Sequence, residues 1–308
     1  MVPSRSASAR EEKRRAALSS VIAAIGLTTF KLIVGLLTNS LGILAEALHS
    51  GLDLLAALVT LLAVRESGKP ADETHLYGHG KVENISALFE TVLLLITSAW
   101  IINESIQRLF FKSVAVDASI WAFIVMAGSI AVDFTRSRML YSTARKHNSQ
   151  ALEADALHFS TDIWSSAVVI LGLAGVRLAS SLPGFPFLKK ADAIAALAVA
   201  CIVIYISIEL GYRAVQGLLD SAPRGMSVKI KNSVEAVPGV ADCHHVRVRS
   251  SGPEIFVDVH VLLDKHLSLE EAHAITEVIE KVIRKQAPGA DVTVHPEPIP
   301  DPPPRAGY

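Results

Sequence analysis

Charge is what this sequence has least of. Only 19% of its 308 residues are Asp, Glu, Lys or Arg, against 51% hydrophobic residues and a mean hydropathy of +0.41; soluble domains carry about 25% charge. The charges present nearly cancel, with 29 Lys and Arg against 30 Asp and Glu. That balance excludes a basic nucleic-acid binder and a disordered, highly charged chain. Two cysteines, Cys201 and Cys243, are too few for a disulfide framework. A cleavable leader is missing too: the first 15 residues hold Arg5, Arg10, Lys13, Arg14 and Arg15 and read as a cytoplasmic tail.

What is present is apolar length. A bilayer core of about 30 Å needs about 20 helical residues. Six stretches approach or exceed that, at 16–38, 41–64, 83–109, 117–139, 150–180 and 190–212. Lys and Arg in the short flanks number fourteen on the side of the N-terminus and five on the other, which places both termini in the cytoplasm. The expected fold class is therefore an α-helical membrane protein with six transmembrane helices and a C-terminal cytoplasmic α/β domain. The expected organisation is a tail over 1–15, a membrane domain over 16–213, a soluble domain over 214–297 and a Pro-rich disordered tail over 298–308.

Two of the expected spans share a polar spelling. Glu46-Ala-Leu-His49-Ser-Gly-Leu-Asp53 and Asp155-Ala-Leu-His158-Phe-Ser-Thr-Asp162 both read acid-x-x-His-x-x-x-Asp. His and Asp at i, i+4 share one helical face. Ionisable groups inside a membrane are tolerated only where they meet each other, water or an ion. At 1.5 Å per residue, His49 and Asp53 lie roughly 12 and 18 Å from one face of the bilayer, and His158 and Asp162 about 15 and 21 Å from the other. In a core of about 30 Å the two pairs overlap near the midplane. Two imidazoles and two carboxylates make a tetrahedral set for Zn²⁺, whereas Mg²⁺ or Ca²⁺ would want six or more oxygens. The alternative is a polar network that only ties two helices together. Glu46 and Asp155 read either as waypoints or as plain helix-end residues. Lys31, Glu90 and Asp133 read as residues paired within the bundle.

Between spans two and three, Asp72, Glu73, His75 and His79 fall within eight residues, with Gly78 and Gly80 allowing the chain to bend. This is a second candidate metal site, or else a solvated loop. From 214 the pattern becomes that of a soluble domain. A short helix at 227–236, β-rich runs at 243–250 and 254–264, a helix opened by the capping box Ser268-Leu-Glu-Glu271 and a strand at 291–295 give the order αββαβ. Six of the eleven histidines lie here: His244, His245, His260, His266, His273 and His295. They suggest metal binding, with scattered surface histidines as the alternative.

These residues resemble the cation diffusion facilitator family of zinc and divalent-metal exporters from about Leu18 to Glu297. The resemblance rests on Asn39-Ser-Leu-Gly-Ile-Leu-Ala-Glu-Ala-Leu-His-Ser, Asp72-Glu-Thr-His-Leu-Tyr-Gly-His-Gly-Lys-Val-Glu, His158-Phe-Ser-Thr-Asp162 and Ser251-Gly-Pro-Glu-Ile-Phe-Val-Asp-Val-His260. It implies a homodimer in the lipid bilayer, exchanging cytoplasmic metal for protons, with a metallochaperone-like tail; the N-terminus and the lack of a targeting pattern suggest a cell inner membrane. It implies a transport site of His49, Asp53, His158 and Asp162, and a loop site of Asp72, His75 and His79. It further implies a tail site of His244, His260, His273, His295 and Glu297, and an ion pair of Lys81 with Asp220. Some bacterial members have Asp where this chain has His49, and close relatives have Asp where it has Glu297. His245 beside His244 leaves the tail ligand ambiguous, since neighbouring strand residues face opposite ways.

Zn²⁺ export by proton antiport is the leading expectation, with Zn²⁺ also regulatory in the tail. The alternatives are the same transporter carrying Fe²⁺, Mn²⁺, Co²⁺ or Cd²⁺, or a membrane-bound metal sensor. An enzyme is not expected, because no nucleophile or HExxH accompanies the site and four ligands leave no open position.

Overall fold

The computed structural model describes residues 5–38, 41–111, 120–181 and 191–300. The chain divides into two compact units, Met1–Val215 and Gln216–Tyr308. The first is built from long helices: α1 (Arg5–Thr38), α2 (Leu41–Ser67), α3 (Val82–Phe110), α4 (Ile120–His147), α5 (Gln150–Ser181) and α6 (Ala191–Leu218). Within them, Ser8–Thr38, Glu46–Ser67, Val82–Gln107 and Ala196–Leu218 are each long and apolar enough alone to cross a membrane. Helices α4 and α5 complete the six-helix transmembrane domain. They carry the polar load instead, with Asp133 and Arg136 on α4 and Asp155 and Asp162 on α5.

Helix α1 starts at Arg5, so the segment expected to be a tail is helical over its described part, while residues 1–4 lie outside the described residues. Its composition explains this. Residues 7–18 are mostly Ala, Arg, Glu and Lys, all strong helix formers. Glu11 pairs one turn on with Arg14 at 2.9 Å and Arg15 at 3.0 Å. Lys13 is held from the other side: its Nζ lies 2.6 Å from Glu83 Oε1, both side chains being almost wholly buried. Glu83 also accepts from the hydroxyls of Ser67 and Ser149, so one carboxylate ties together α1, α2, α3 and the start of α5.

The helices approach closely because small residues line their seams. Ala16, Ala17, Ala63, Ala144, Ala151 and Ala156 pack with Leu140, Leu152 and Phe159 in one cluster. Lipid tails are as apolar as leucine, so association relies on such close packing and on buried polar contacts. At Gly211 on α6, an added Cβ would come within 2.8 Å of Thr91 on α3, so only glycine allows that approach.

The second unit has its own core. Helix α7 (Met226–Glu235), strands β1 (Asp242–Ser251) and β2 (Glu254–Leu263), helix α8 (Leu269–Gln286) and strand β3 (Asp291–Pro298) give the expected αββαβ order. The sheet order is β1-β2-β3, antiparallel between β1 and β2 and parallel between β2 and β3. Val257, Val259, Val261 and Leu263 alternate inward and pack on Ile230 and Val234 of α7 and Ile279 and Ile283 of α8. Both helices therefore cover one face of the sheet, and the even-numbered residues of β2, His260 among them, line the other.

Strand β3 runs on through Pro296 and Glu297 to Pro298, beyond the expected strand end at 295. Pro296 sits opposite Val261 on an edge strand, where a missing N–H is tolerated. Ile299 N–H still donates to Leu263 O at 2.9 Å. Of the expected disordered tail over 298–308, residues 301–308 lie outside the described residues, as do Lys112, Lys189 and Lys190 of the charge count.

Candidate metal centres

In the helical unit, α2 and α5 bring their two acid-x-x-His-x-x-x-Asp faces together. Nε2 of His158 lies 3.2 Å from Asp53 Oδ1 and 3.7 Å from Asp162 Oδ2. Nε2 of His49 lies 3.9 Å from Asp53 Oδ1 and 3.8 Å from Asp162 Oδ1. Each imidazole thus faces both carboxylates. Bonds of about 2.1 Å in a tetrahedron set ligand atoms about 3.4 Å apart; His49, Asp53 and Asp162 each offer a ligand atom within 4.8 Å of the others, and His158 adjoins both carboxylates. Asp53 and His158 are buried, and His49 is the most open of the four, with 41% of its side chain exposed.

The other intramembrane polar residues are paired, though not all as a sequence would suggest. Lys31 Nζ donates to Ser50 Oγ at 2.7 Å and lies 3.2 Å from Glu46 Oε2, so Glu46 is tied back to α1. Asp155, fully buried, accepts from the Ser20 hydroxyl at 3.3 Å. Asp133 meets Arg136 at 3.2 Å one turn along α4. Arg136, one of the fourteen Lys and Arg counted on the side of the N-terminus, is buried, with its guanidinium 3.5 Å from the ring centroid of Phe159. Glu90 of α3 is the residue the sequence undervalued: it stands behind His158, with its Oε2 3.8 Å from His158 Nδ1. An intramembrane carboxylate about two turns into an apolar helix was the available signal.

In the loop between α2 and α3, Asp72, His75 and His79 each offer a ligand atom within 4.8 Å of the others. Asp72 Oδ1 is 3.3 Å from His75 Nδ1, and Asp72 Oδ2 is 3.3 Å from His79 Nε2. Local geometry makes this. Asp72 Oδ1 accepts the backbone N–H groups of His75 and Thr74, at 2.7 and 2.9 Å, and the Thr74 hydroxyl at 2.9 Å. These bonds, the His75 N–H first, hold the Asp72 carboxyl well below the usual carboxylate range. Gly78 at φ 76° then turns the chain so that His79 comes back over His75, with ring centroids 4.4 Å apart.

In the second unit the histidines collect on the open sheet face. Glu297 is the hub: its carboxylate lies 2.8 Å from His260 Nδ1, 3.2 Å from His244 Nε2 and 3.6 Å from His295 Nε2. The His260 contact, first, and the neighbouring histidines hold it below the usual carboxylate range. The register ambiguity at His244 and His245 ends in a β-bulge. His244 pairs with His260 and Arg247 with Asp258, so an extra residue is accommodated between them, and His245 adopts φ 48°. Both rings then approach His260, at 5.7 and 5.1 Å between centroids. His273 stands apart. It projects from α8, which packs on the other face of the sheet, and its nearest acid is Glu277 at 3.9 Å. His266 likewise joins neither group among the described residues.

Residues 17–219 match the cation efflux transmembrane domain family, and residues 223–299 match the cytoplasmic domain of cation efflux proteins. The chain belongs to the cation diffusion facilitator family. It is 33% identical over 289 residues to the cation-efflux pump FieF of Salmonella arizonae, covering 92% of both chains. To FieF of Yersinia enterocolitica it is 34% identical over 288 residues, again with 92% of each covered. A nickel form of the MamM CTD aligns with 25% of this chain and all of its own length, at 24% identity and a TM-score of 0.24. As a family member the chain is a membrane-embedded cation-efflux transporter, and its relatives being pumps supports a non-enzymatic role.

Proposed function

We propose that this transporter exports Zn²⁺ from the cytoplasm in exchange for protons, through His49, Asp53, His158 and Asp162. The observation that carries the reading is the convergence of two Nε2 atoms and two carboxylates at 3.2–3.9 Å across α2 and α5. A set of two nitrogens and two oxygens suits the tetrahedral preference of zinc. A coordinating imidazole must shed its proton, so loading the ion displaces protons and reprotonation releases it. Rocking of the helices would expose the same site alternately to each side.

The wider reading is a homodimer in an inner membrane with both termini cytoplasmic. Asp72, His75 and His79 serve as an accessory site that collects the cation. His244, His260, His295 and Glu297 bind Zn²⁺ on the sheet face as a regulatory site, and His273, on α8, lies outside this cluster. Asp220 Oδ1 lies 3.6 Å from Arg249 Nη1 within the second unit. The division into a membrane domain over 16–213 and a soluble domain over 214–297 follows the same reading.

The deciding experiment is uptake by proteoliposomes under an imposed pH gradient, with Zn²⁺, Fe²⁺, Mn²⁺, Co²⁺ and Cd²⁺ compared side by side. Zinc uptake that collapses with the pH gradient is the expected result. Uptake indifferent to the gradient would remove antiport, preference for another metal would remove zinc, and binding without uptake would leave a sensor.

A further inference from the structure

His158 turns Nε2 toward Asp53 and Asp162, while its Nδ1 points the other way, toward α3. That Nδ1 is buried and makes no hydrogen bond. Facing it at 3.8 Å is Oε2 of Glu90, which is also buried without a hydrogen-bond partner. The Glu90 side chain is wholly enclosed, at 0% exposure. Its other oxygen accepts from the Thr60 hydroxyl at 3.4 Å. A line of polar groups therefore runs from Thr60 on α2 through Glu90 on α3 and His158 on α5 back to Asp53 on α2.

Buried polar groups are ordinarily hydrogen-bonded, and an unpaired pair inside a membrane domain calls for a reason. The two orphans are complementary in kind. An imidazole that ligates through Nε2 carries its proton on Nδ1, and a carboxylate oxygen is a strong acceptor for it. The two atoms stand just beyond hydrogen-bond reach, and a small rotation of the imidazole would close the gap.

We propose that Glu90 is a positioning residue for His158. On loading, His158 Nδ1–H donates to Glu90 Oε2, which fixes the tautomer that leaves Nε2 free and holds the ring plane toward Asp53 and Asp162. The carboxylate also makes Nε2 a stronger donor to the cation. This rests on the reading of His158 as a transport-site ligand. It adds that α3 sets the affinity of a site whose ligands all belong to α2 and α5.

The test is the KM and maximal rate of zinc uptake in proteoliposomes for Glu90→Gln, which keeps shape but not charge. Loss of a carboxylate behind a ligating histidine typically weakens metal binding about 10–100-fold. The expected result is a rise in KM of that order with the maximal rate nearly unchanged. A purely structural Glu90 would lower yield and thermal stability and leave KM where it was, and that result overturns the proposal. Should Glu90→Gln not fold, Glu90→Asp keeps the charge but withdraws it from Nδ1; an unchanged KM there overturns the proposal equally. The wild-type protein offers a readout that needs no variant: ¹⁵N spectra of zinc-loaded protein should show His158 Nδ1–H shifted by a carboxylate hydrogen bond. A signal typical of an unbonded imidazole counts against it. Asp162→Asn is the separate control. If that variant still transports zinc normally, it is the four-residue site that fails, whatever Glu90 does.

Discussion

Oδ1 of Asp53 lies 3.2 Å from Nε2 of His158, joining residues 105 positions apart and helices α2 and α5. It is the tightest of the four imidazole–carboxylate approaches in the cluster. In the proposed loaded state a cation would replace this hydrogen-bonded contact with two coordinate bonds, so α2 and α5 would stay joined there.

Asp53→Ala or Asp162→Ala should abolish zinc uptake while the chain still folds. Each substitution removes one of two anionic ligands from a bundle whose alanine seams are left intact. Flux in proteoliposomes, with size-exclusion profiles alongside, checks both halves of the statement. Undiminished flux in either variant would end the midplane assignment.

His49→Asp should keep zinc transport and gain Cd²⁺ or Mn²⁺. Three carboxylates and one imidazole form a harder, more anionic set that can offer bidentate oxygens and expand to higher coordination. His49 is also the most open of the four ligands, so the change has room. The Zn²⁺/Cd²⁺ flux ratio is the measurement, and an unchanged ratio would mean that helix packing sets selectivity.

Glu83→Ala should destabilise the helical unit severely. It leaves the Lys13 ammonium buried without its 2.6 Å partner, and breaking a buried pair on one side costs about 3–5 kcal/mol. Removing both charges, in Lys13→Met with Glu83→Met, should recover most of the loss. Thermal denaturation in detergent of both variants tests this. A single substitution as stable as the parent would show that the pair contributes nothing.

The isolated chain 214–308 should bind zinc and gain heat stability. It has its own core, and a ligand held only by the folded form at 100 times its Kd adds about 2.7 kcal/mol. Calorimetry showing no binding would reduce the domain to an assembly module. Within it, Glu297→Ala should weaken binding more than His273→Ala, since Glu297 touches three histidines and His273 none of them.

Cys243 should resist alkylation in the native protein. Its thiol lies in the core of the second unit and burial pushes it up to about 11 from an ordinary 9.0. Folding therefore favours the protonated thiol. The associated stability is present below pH 9 and is lost as pH rises from there through about 11. Iodoacetamide labelling at pH 8, native against denatured, reads this directly, and rapid native labelling would contradict it.

The architecture was legible from the chain because membrane crossing needs apolar length, and the six helices fall at the six stretches expected, four of them apolar enough alone to cross a membrane. The αββαβ order was legible because alternation, turn residues and the Ser268 capping box are local signals, and the capping box is present as expected. What the local pattern left open was where helix α1 begins and where strand β3 ends. Arg5 to Arg15 are helical because of strong helix formers and i, i+4 pairs, and Pro296 to Pro298 continue a strand because an edge position tolerates proline.

Duplicated spelling on two helices determined which four side chains could meet, since a His–Asp pair one turn apart has a single face to offer. Only the tertiary structure decided what stands behind them. Glu90 backs His158, Arg136 is drawn into the bundle over Phe159, and a bulge turns His244 and His245 toward His260 together. The reason is physical: periodicity fixes directions within one element, whereas partners across elements depend on how seams of small residues let helices approach and on where a strand takes up an extra residue.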